Sequence, residues 1–185
     1  MSETKHDMRL RYCAIRAALP DRAAKSAMIA ERLFASEAYK SASEIFTYAS
    51  FGAEADTRDI ISRALADGKV VAVPYARGGV MRFYRIYNLS ELRVSKIGVP
   101  EPVPRPERLV TCGPGTLLLV PGITMGKNMH RIGYGGGYYD GYLSLAENKP
   151  FLSVGVCFAA QVAEEVAAEA WDAALDAVLT EEGWV

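Results

Sequence analysis

The chain has 185 residues, half of them hydrophobic and 23% charged, a composition that suits one globular domain with a sizeable core. Its 21 basic and 22 acidic residues leave a net charge of −1, so no global basic field asks for nucleic acid or an anionic membrane surface. Three scattered cysteines, Cys13, Cys112 and Cys157, argue against a disulfide framework and a zinc site. With a polar N-terminus and no run of membrane-spanning length, they predict a cytoplasmic protein.

Residues 4 to 36 are predicted to be helical. Leu10, Ala14, Ala17 and Ala18 recur at helical spacing, Pro20-Asp21 interrupts, and Ala24, Met28, Leu33 and Phe34 resume, with Asp21 as the cap of the second helix. EIFTYAS (44–50) reads as a short strand. DTRDIISRALADG (56–68) reads as a helix with an Asp cap at its start and Gly68 at its end. KVVAVPYA (69–76) is a buried strand, and VMRFYRI (80–86) alternates like a half-exposed one. Residues 98 to 115 carry five prolines and three glycines and are predicted to be a long irregular connection. TLLLVPG (116–122) is a buried strand. After a glycine-rich stretch, residues 151–158 form a strand, the Ala/Glu-rich 159–170 a helix, and ALDAVLT (174–180) a last strand. The strand–helix–strand order gives an α/β fold with helices on both faces of a mostly parallel sheet.

The glycine-rich stretch is RIGYGGGYYDGYL (131–143), reached from the end of the TLLLVPG strand. In open α/β sheets, ligands bind outside the carboxyl ends of the strands. Gly133, Gly135, Gly136 and Gly137 bare backbone N–H groups at a helix expected to start near Gly136, an arrangement that favours phosphate. Arg131 adds a bidentate anion contact, and a carboxylate such as Asp140 beside phosphates is suited to Mg²⁺. The pattern is neither GxxxxGK[ST] nor a clean GxGxxG. The rival reading is a tight turn with tyrosines packing a helix face.

Arg131-Ile132-Gly133-Tyr134-Gly135-Gly136-Gly137-Tyr138-Tyr139-Asp140, preceded by LLLVPGI, resembles the signature of the 5-formyltetrahydrofolate cyclo-ligase family: a strand ending in Pro-Gly, a loop, then R-[LI]-G-x-G-x-G-Y-Y-D. Three other places agree in order. Lys5 and Arg9 fit a K-x-x-x-R on the first helix and share one helix face. Glu54-Ala55-Asp56-Thr57 fits E-x-x-T. Asp172 and Asp176, before Thr180, fit D-x-x-x-D. The family pattern F-D-x-x-G-x-R is not kept in Met125–Arg131, Gly141 replaces a long residue, and Ala167 and Trp171 stand where Pro and His are usual.

The resemblance implies a three-layer α/β/α sandwich around a mostly parallel sheet with N-terminal helices, residues 1–185 forming a single domain. It implies MgATP-dependent closure of 5-formyltetrahydrofolate to 5,10-methenyltetrahydrofolate through an iminium phosphate. ATP would be bound by Lys5, Arg9, Arg131, Gly133, Tyr134, Gly135, Gly136, Gly137, Tyr138 and Tyr139. The folate would be bound by Ala49, Glu54 and residues 134–138, with Arg131, Tyr138 and Asp140 catalytic. Asp140 and Asp176 would hold Mg²⁺, Asp176 being a better candidate than its surroundings suggest because an unpaired carboxylate in the apolar run ALDAVLT would be costly. Asp172 reads equally as a cap or turn residue. The partners expected are these small molecules, with no nucleic acid, membrane or obligate protein. His6 and His130 are assigned no metal role. The competing readings are another phosphoryl-transferring or isomerising enzyme, and a non-catalytic folate- or nucleotide-binding protein.

Overall fold

The computed structural model describes residues 3–144 and 151–185. Thr4 and Asp7 open α1 (Lys5–Ala18) with a capping box, the Asp7 amide bonding the Thr4 hydroxyl at 3.2 Å and the Thr4 amide bonding Asp7 at 3.3 Å. The chain breaks at Pro20-Asp21 and resumes in α2 (Arg22–Ala35) and the short α3 (Glu37–Ser41). Asp21 does not cap α2 through its side chain. It sits in the left-handed region at φ 53° and turns the backbone instead. The N-cap of α4 (Arg58–Ala66) is Thr57, without a side-chain cap bond; Asp56, one residue earlier, accepts the Arg58 amide at 2.9 Å, and the helix ends before Asp67 and Gly68, the glycine at φ 75°.

The strands run β1 (Glu44–Thr47), β2 (Val70–Arg77), β3 (Val80–Ile86), β4 (Arg93–Val94), β5 (Pro100–Glu101), β6 (Leu109–Val110), β7 (Thr116–Pro121), β8 (Thr124–Gly126), β9 (Arg131–Ile132), β10 (Leu152–Val156), β11 (Val162–Ala163) and β12 (Ala177–Leu179). Seven of them form one sheet in the order β12-β10-β7-β1-β2-β3-β6. The first five in that order are parallel; β3 and β6 add an antiparallel edge. The central β7 is buried over Thr116–Val120, as its unbroken LLLV run requires of a strand covered on both faces. At the sheet edge, β3 alternates between exposed and buried positions over its first four residues.

On one face, Ile29, Ala30 and Leu33 of α2 and Ile60, Ile61 and Ala64 of α4 pack on Ile45, Val71, Leu117, Leu119 and Val154. On the other, Leu143 of α5 (Tyr138–Ser144), Met125 and Leu175 pack on Phe46, Phe83, Leu118, Val120 and Val178. A second, three-stranded sheet, β11-β8-β9, lies under α1 through Met8, Tyr12, Ile123, Ile132, Ala163 and Val166.

Two expected helices change. Residues 159–170 form only a single turn at Ala159–Gln161, then β11, then irregular chain. Ala and Glu favour helix, but here the backbone pairs outward. Lys127 N–H bonds the Ala163 carbonyl at 3.0 Å, and the Asn128 side chain holds both backbone groups of Val166. The helix expected from Gly136 starts at Tyr138, because Gly135 and Gly137 adopt φ of 93° and 65°, which a right-handed helix cannot contain. The connection 98–115 carries short β5 and β6 rather than being wholly irregular.

Leu119, with no exposure in the middle of the sheet, tests this core. Leu119→Ala is expected to lower the urea-unfolding free energy by about 2–5 kcal/mol. A loss under about 1 kcal/mol would mean that the α2/α4 face is not close-packed there.

Candidate active site

A cleft of about 800 Å³ opens at the carboxyl ends of the parallel strands, large for a small-molecule site. Ala49 follows β1, Pro121 ends β7, and Ala76 and Met81 flank the β2–β3 turn. The β4–β5 hairpin contributes Ile97, Val99 and Glu101 along one rim, and α1 contributes Lys5 and Arg9 along another. The run from Arg131 to Gly141 lines the cleft without a gap, so every glycine and tyrosine singled out in residues 133–139 reaches it.

The loop is held from three sides. Arg9 Nε donates to the Gly133 carbonyl at 2.8 Å. A Cβ on Gly135 would lie 3.9 Å from the Arg9 guanidinium, so the cation sits directly over bare backbone. Arg131 is buried, and its Nη1 donates to Asp140 at 3.0 Å and lies 3.5 Å from the Ala173 carbonyl. Asp140 also accepts the Ala173 amide at 3.3 Å. Thus Arg131 and Asp140, the proposed phosphate and metal residues, are ion-paired here. Tyr138 and Tyr139 pack against the core beneath, and the Tyr139 hydroxyl is buried with no partner among the described residues.

Before Arg131 the chain turns through Met129 at φ 62°, where the family pattern has glycine. Bonds from the Gly126 amide to the His130 carbonyl (2.8 Å) and from the Met129 amide to the Gly126 carbonyl (2.9 Å) close that turn. The turn is thus closed with a left-handed non-glycine residue at Met129.

Lys5 pairs with Asp172 and, at 3.3 Å, with Glu169. Burial opposes the charge on both Lys5 and Asp172. Their mutual pairing prevails, raising the Lys5 pKa and lowering that of Asp172. Asp172 therefore lies in the cleft beside the strand of chain that Asp140 contacts. Asp176 does not. It precedes β12 at the amino end of the sheet, is exposed, and accepts the Ser153 amide and hydroxyl at 2.7 and 2.6 Å. The expectation that Asp176 sits buried in an apolar strand fails because β12 begins one residue later.

At the far wall, the Phe51–Glu54 turn folds the Glu54 carboxylate back onto the Phe51 amide (3.1 Å), while the Tyr134 hydroxyl donates to its other oxygen (3.0 Å). The Phe51 and Tyr134 rings lie 5.6 Å apart. Burial is the largest influence on Glu54 and raises its pKa; the Phe51 amide, Tyr134 and Arg16 oppose without cancelling it. Burial and the Glu54 charge push Tyr134 up to about 12. So one side chain, Tyr134, joins the glycine loop to the Glu54 turn.

Residues not among the expected ligands also line the cleft: Phe51, Glu169, Trp171, Asp172 and the β4–β5 hairpin. Asp172 had a signal in the D-x-x-x-D spacing, which cannot say which aspartate faces the ligand. The hairpin had none, because short edge strands carry no period long enough to read. Among the described residues, no three His, Cys, Asp or Glu side chains cluster as a metal site. Asp140 and Asp172 both line the cleft near the glycine loop, and carboxylates are the oxygen donors a hard divalent cation takes. No helix among these residues is long and apolar enough to cross a membrane.

Comparison with known proteins agrees with this geometry. A family model described as the 5-formyltetrahydrofolate cyclo-ligase family matches residues 1–181. A Schizosaccharomyces pombe protein named "Probable 5-formyltetrahydrofolate cyclo-ligase" is 30% identical over 142 residues, 70% of each chain. The 5-formyltetrahydrofolate cyclo-ligase of Haemophilus influenzae is 27% identical over 143 residues, 76% of each chain. The NMR structure of Aquifex aeolicus 5,10-methenyltetrahydrofolate synthetase matches with a TM-score of 0.77 and 26% identity, covering 97% of this chain and 91% of that one. With its signature loop lining the cleft and nearly its whole length matched, the chain belongs to the 5-formyltetrahydrofolate cyclo-ligase family.

Proposed function

We propose that this chain closes 5-formyltetrahydrofolate to 5,10-methenyltetrahydrofolate with MgATP, releasing ADP and phosphate. The observation that carries the reading is a single cleft in which a cation-flanked glycine loop and the Glu54 carboxylate share Tyr134. Closure requires the formyl oxygen on N5 to leave, and an amide oxygen leaves poorly. Transfer of the γ-phosphoryl group to that oxygen makes it a phosphate leaving group. N10 then attacks the formyl carbon, the C–O bond breaks, phosphate departs and the N10 proton is lost.

For such a transfer the chain supplies position and charge. Lys5 and Arg9 would take the nucleotide phosphates together with the backbone of residues 133–137 and the flanking Arg131, Tyr138 and Tyr139. The orphaned Tyr139 hydroxyl is a ready hydrogen-bond partner. Glu54 can accept two pterin N–H donors on lone pairs left free by Phe51 and Tyr134. Ala49 and the Tyr138 ring would bound the folate.

The charged groups lining the cleft are three cations, Lys5, Arg9 and Arg131, against five carboxylates, Glu54, Glu101, Asp140, Glu169 and Asp172. That balance repels a bare polyphosphate and favours one that arrives with a divalent cation. Asp140 and Asp172 would hold Mg²⁺, which when bound neutralises phosphate charge as it develops. The choice of Asp172 over Asp176 is supported by Asp176's absence from the cleft lining and its bonds to Ser153.

Purified protein is expected to raise the near-ultraviolet methenyl absorbance only with 5-formyltetrahydrofolate, ATP and Mg²⁺ together; product without ATP would refute phosphoryl activation. In a second test, Asp140→Asn keeps an oxygen to accept from Arg131 and Ala173 but loses the charge. Turnover should fall by about 100-fold or more, with folate binding by calorimetry largely kept. Normal turnover would remove Asp140 from the chemistry. In a third, Asp172→Asn should raise the Mg²⁺ concentration needed for half-maximal rate, and Asp176→Asn should not. The reverse pattern would restore Asp176 as the ligand.

A further inference from the structure

Arg16, in the last turn of α1, has no role in the scheme above. It is 6% exposed, and its Nε and Nη1 meet no acceptor among the described residues. Its Nη2 donates to the Tyr134 hydroxyl at 2.8 Å, and its guanidinium carbon lies 5.6 Å from the centre of that ring. A cation gains from the carboxyl end of a helix, which accounts for a basic residue at this position. It does not account for burying the guanidinium without a directly bonded carboxylate, which is unfavourable unless something else is gained.

The donor inventory shows what is gained. A guanidinium only donates, and an ionised carboxylate only accepts. The Tyr134 oxygen must therefore accept from Arg16, so its one hydrogen must point to Glu54 Oε1, 3.0 Å away. A hydroxyl that would otherwise rotate has a single allowed direction. Glu54 Oε2 is fixed by the Phe51 amide at 3.1 Å. Each carboxylate oxygen is then held by one donor and keeps capacity for another.

We infer that Arg16 is a positioning residue for the folate: through Tyr134 it orients the Glu54 carboxylate that receives the pterin N–H groups. This rests on the folate reading of Glu54 given above. The charged and titratable groups that face Glu54 are Arg16 from α1, Tyr134 from the glycine loop, Tyr48 just after β1, and Tyr139 from α5. Arg16 is the one cation of that set. Tyr134 also stands between Gly133, which Arg9 holds, and Gly135, so α1 fastens the loop twice: by backbone through Arg9 and by side chain through Arg16. The spacing of seven between Arg9 and Arg16 puts both on one helix face.

The sign of the effect follows. Burial already raises the Glu54 pKa and Arg16 opposes that rise. Removing the Arg16 charge raises it further, so more of the carboxyl is protonated at a given pH. Folate capture that needs the anion is then lost at higher pH than in the unaltered chain.

The test compares the full-length protein with Arg16→Met, Arg16→Lys, Tyr134→Phe and the Arg16→Met/Tyr134→Phe double variant, following methenyl product from acidic to neutral pH. Arg16→Met should raise the folate KM roughly tenfold and move the acidic limb of kcat/KM for 5-formyltetrahydrofolate to higher pH. The ATP KM should change little. Arg16→Lys, which keeps charge but not the planar fork, should bring the limb back toward its original position. Tyr134→Phe should move the limb in the same direction as Arg16→Met, and the double variant should be no worse than the worse single, because both break one chain of bonds. An unmoved limb in Arg16→Met, or additive losses with no rescue by lysine, would reduce Arg16 to a packing residue. Should Arg16→Met fail to fold in a thermal scan, Tyr134→Phe on the exposed loop decides, and an unmoved limb there overturns the inference. If the unaltered protein makes no product, the proposed reaction fails by itself. The pH dependence of 5-formyltetrahydrofolate binding, read by calorimetry in the same variants, then judges Arg16 separately, and no binding at any pH overturns both.

Discussion

Arg131 is buried in β9 and bonded to Asp140 in α5 at 3.0 Å, with the backbone of Ala173 against both. Three segments distant in sequence meet at that guanidinium: the small sheet, the short helix after the glycine loop, and the irregular chain leading to β12. A buried guanidinium is costly without a partner, and Asp140 supplies one to Arg131. While it does, residues 133–137 are fastened at one end to Asp140 and at the other to Arg9, and the Lys5–Asp172 pair is drawn beside them. The cleft is a consequence of that pinning as much as of the sheet beneath it.

The pairing also shapes the chemistry available. In this arrangement the cations and carboxylates of the cleft largely satisfy one another: Lys5 with Asp172 and Glu169, Arg131 with Asp140. A polyphosphate with its cation would exchange partners with these pairs, cation to carboxylate and phosphate to Lys5, Arg9 and Arg131. Such an exchange keeps every buried charge compensated before and after binding, and it makes occupation by phosphate without metal unfavourable. Tyr134 links this half of the cleft to Glu54, so the glycine loop and the Glu54 turn are joined by a side-chain bond rather than merely adjacent.

The main sheet was legible because its strands follow strong local rules. The LLLV run of β7 has the length and apolarity of a strand covered on both faces, and VMRFYRI begins with the alternation of an edge strand. The glycine loop was legible for a similar reason: Gly135 and Gly137 carry positive φ, a demand on the backbone that leaves a mark in composition. Residues 159–170 were not legible. Their Ala/Glu content favours helix, but their backbone groups are claimed by Lys127 and Asn128, more than thirty residues earlier. Propensity has no access to such partners.

By itself the sequence determined the α/β class, the strand and glycine loop that build one wall of the cleft, the cations of α1 and Glu54, because each is written in local period, turn chemistry or an ordered motif. Which aspartate faces the cleft was decided only in three dimensions. Asp172 and Asp176 are four residues apart and alike in spacing, yet the chain crosses from the carboxyl to the amino end of the sheet between them, leaving Asp172 with Lys5 and Asp176 with Ser153. The orientation of Tyr134 was likewise decided there. It depends on a donor from α1 and an acceptor from the turn after β1, separated from it by 118 and 80 residues, and only the packed fold brings an arginine and a carboxylate to the two sides of one hydroxyl.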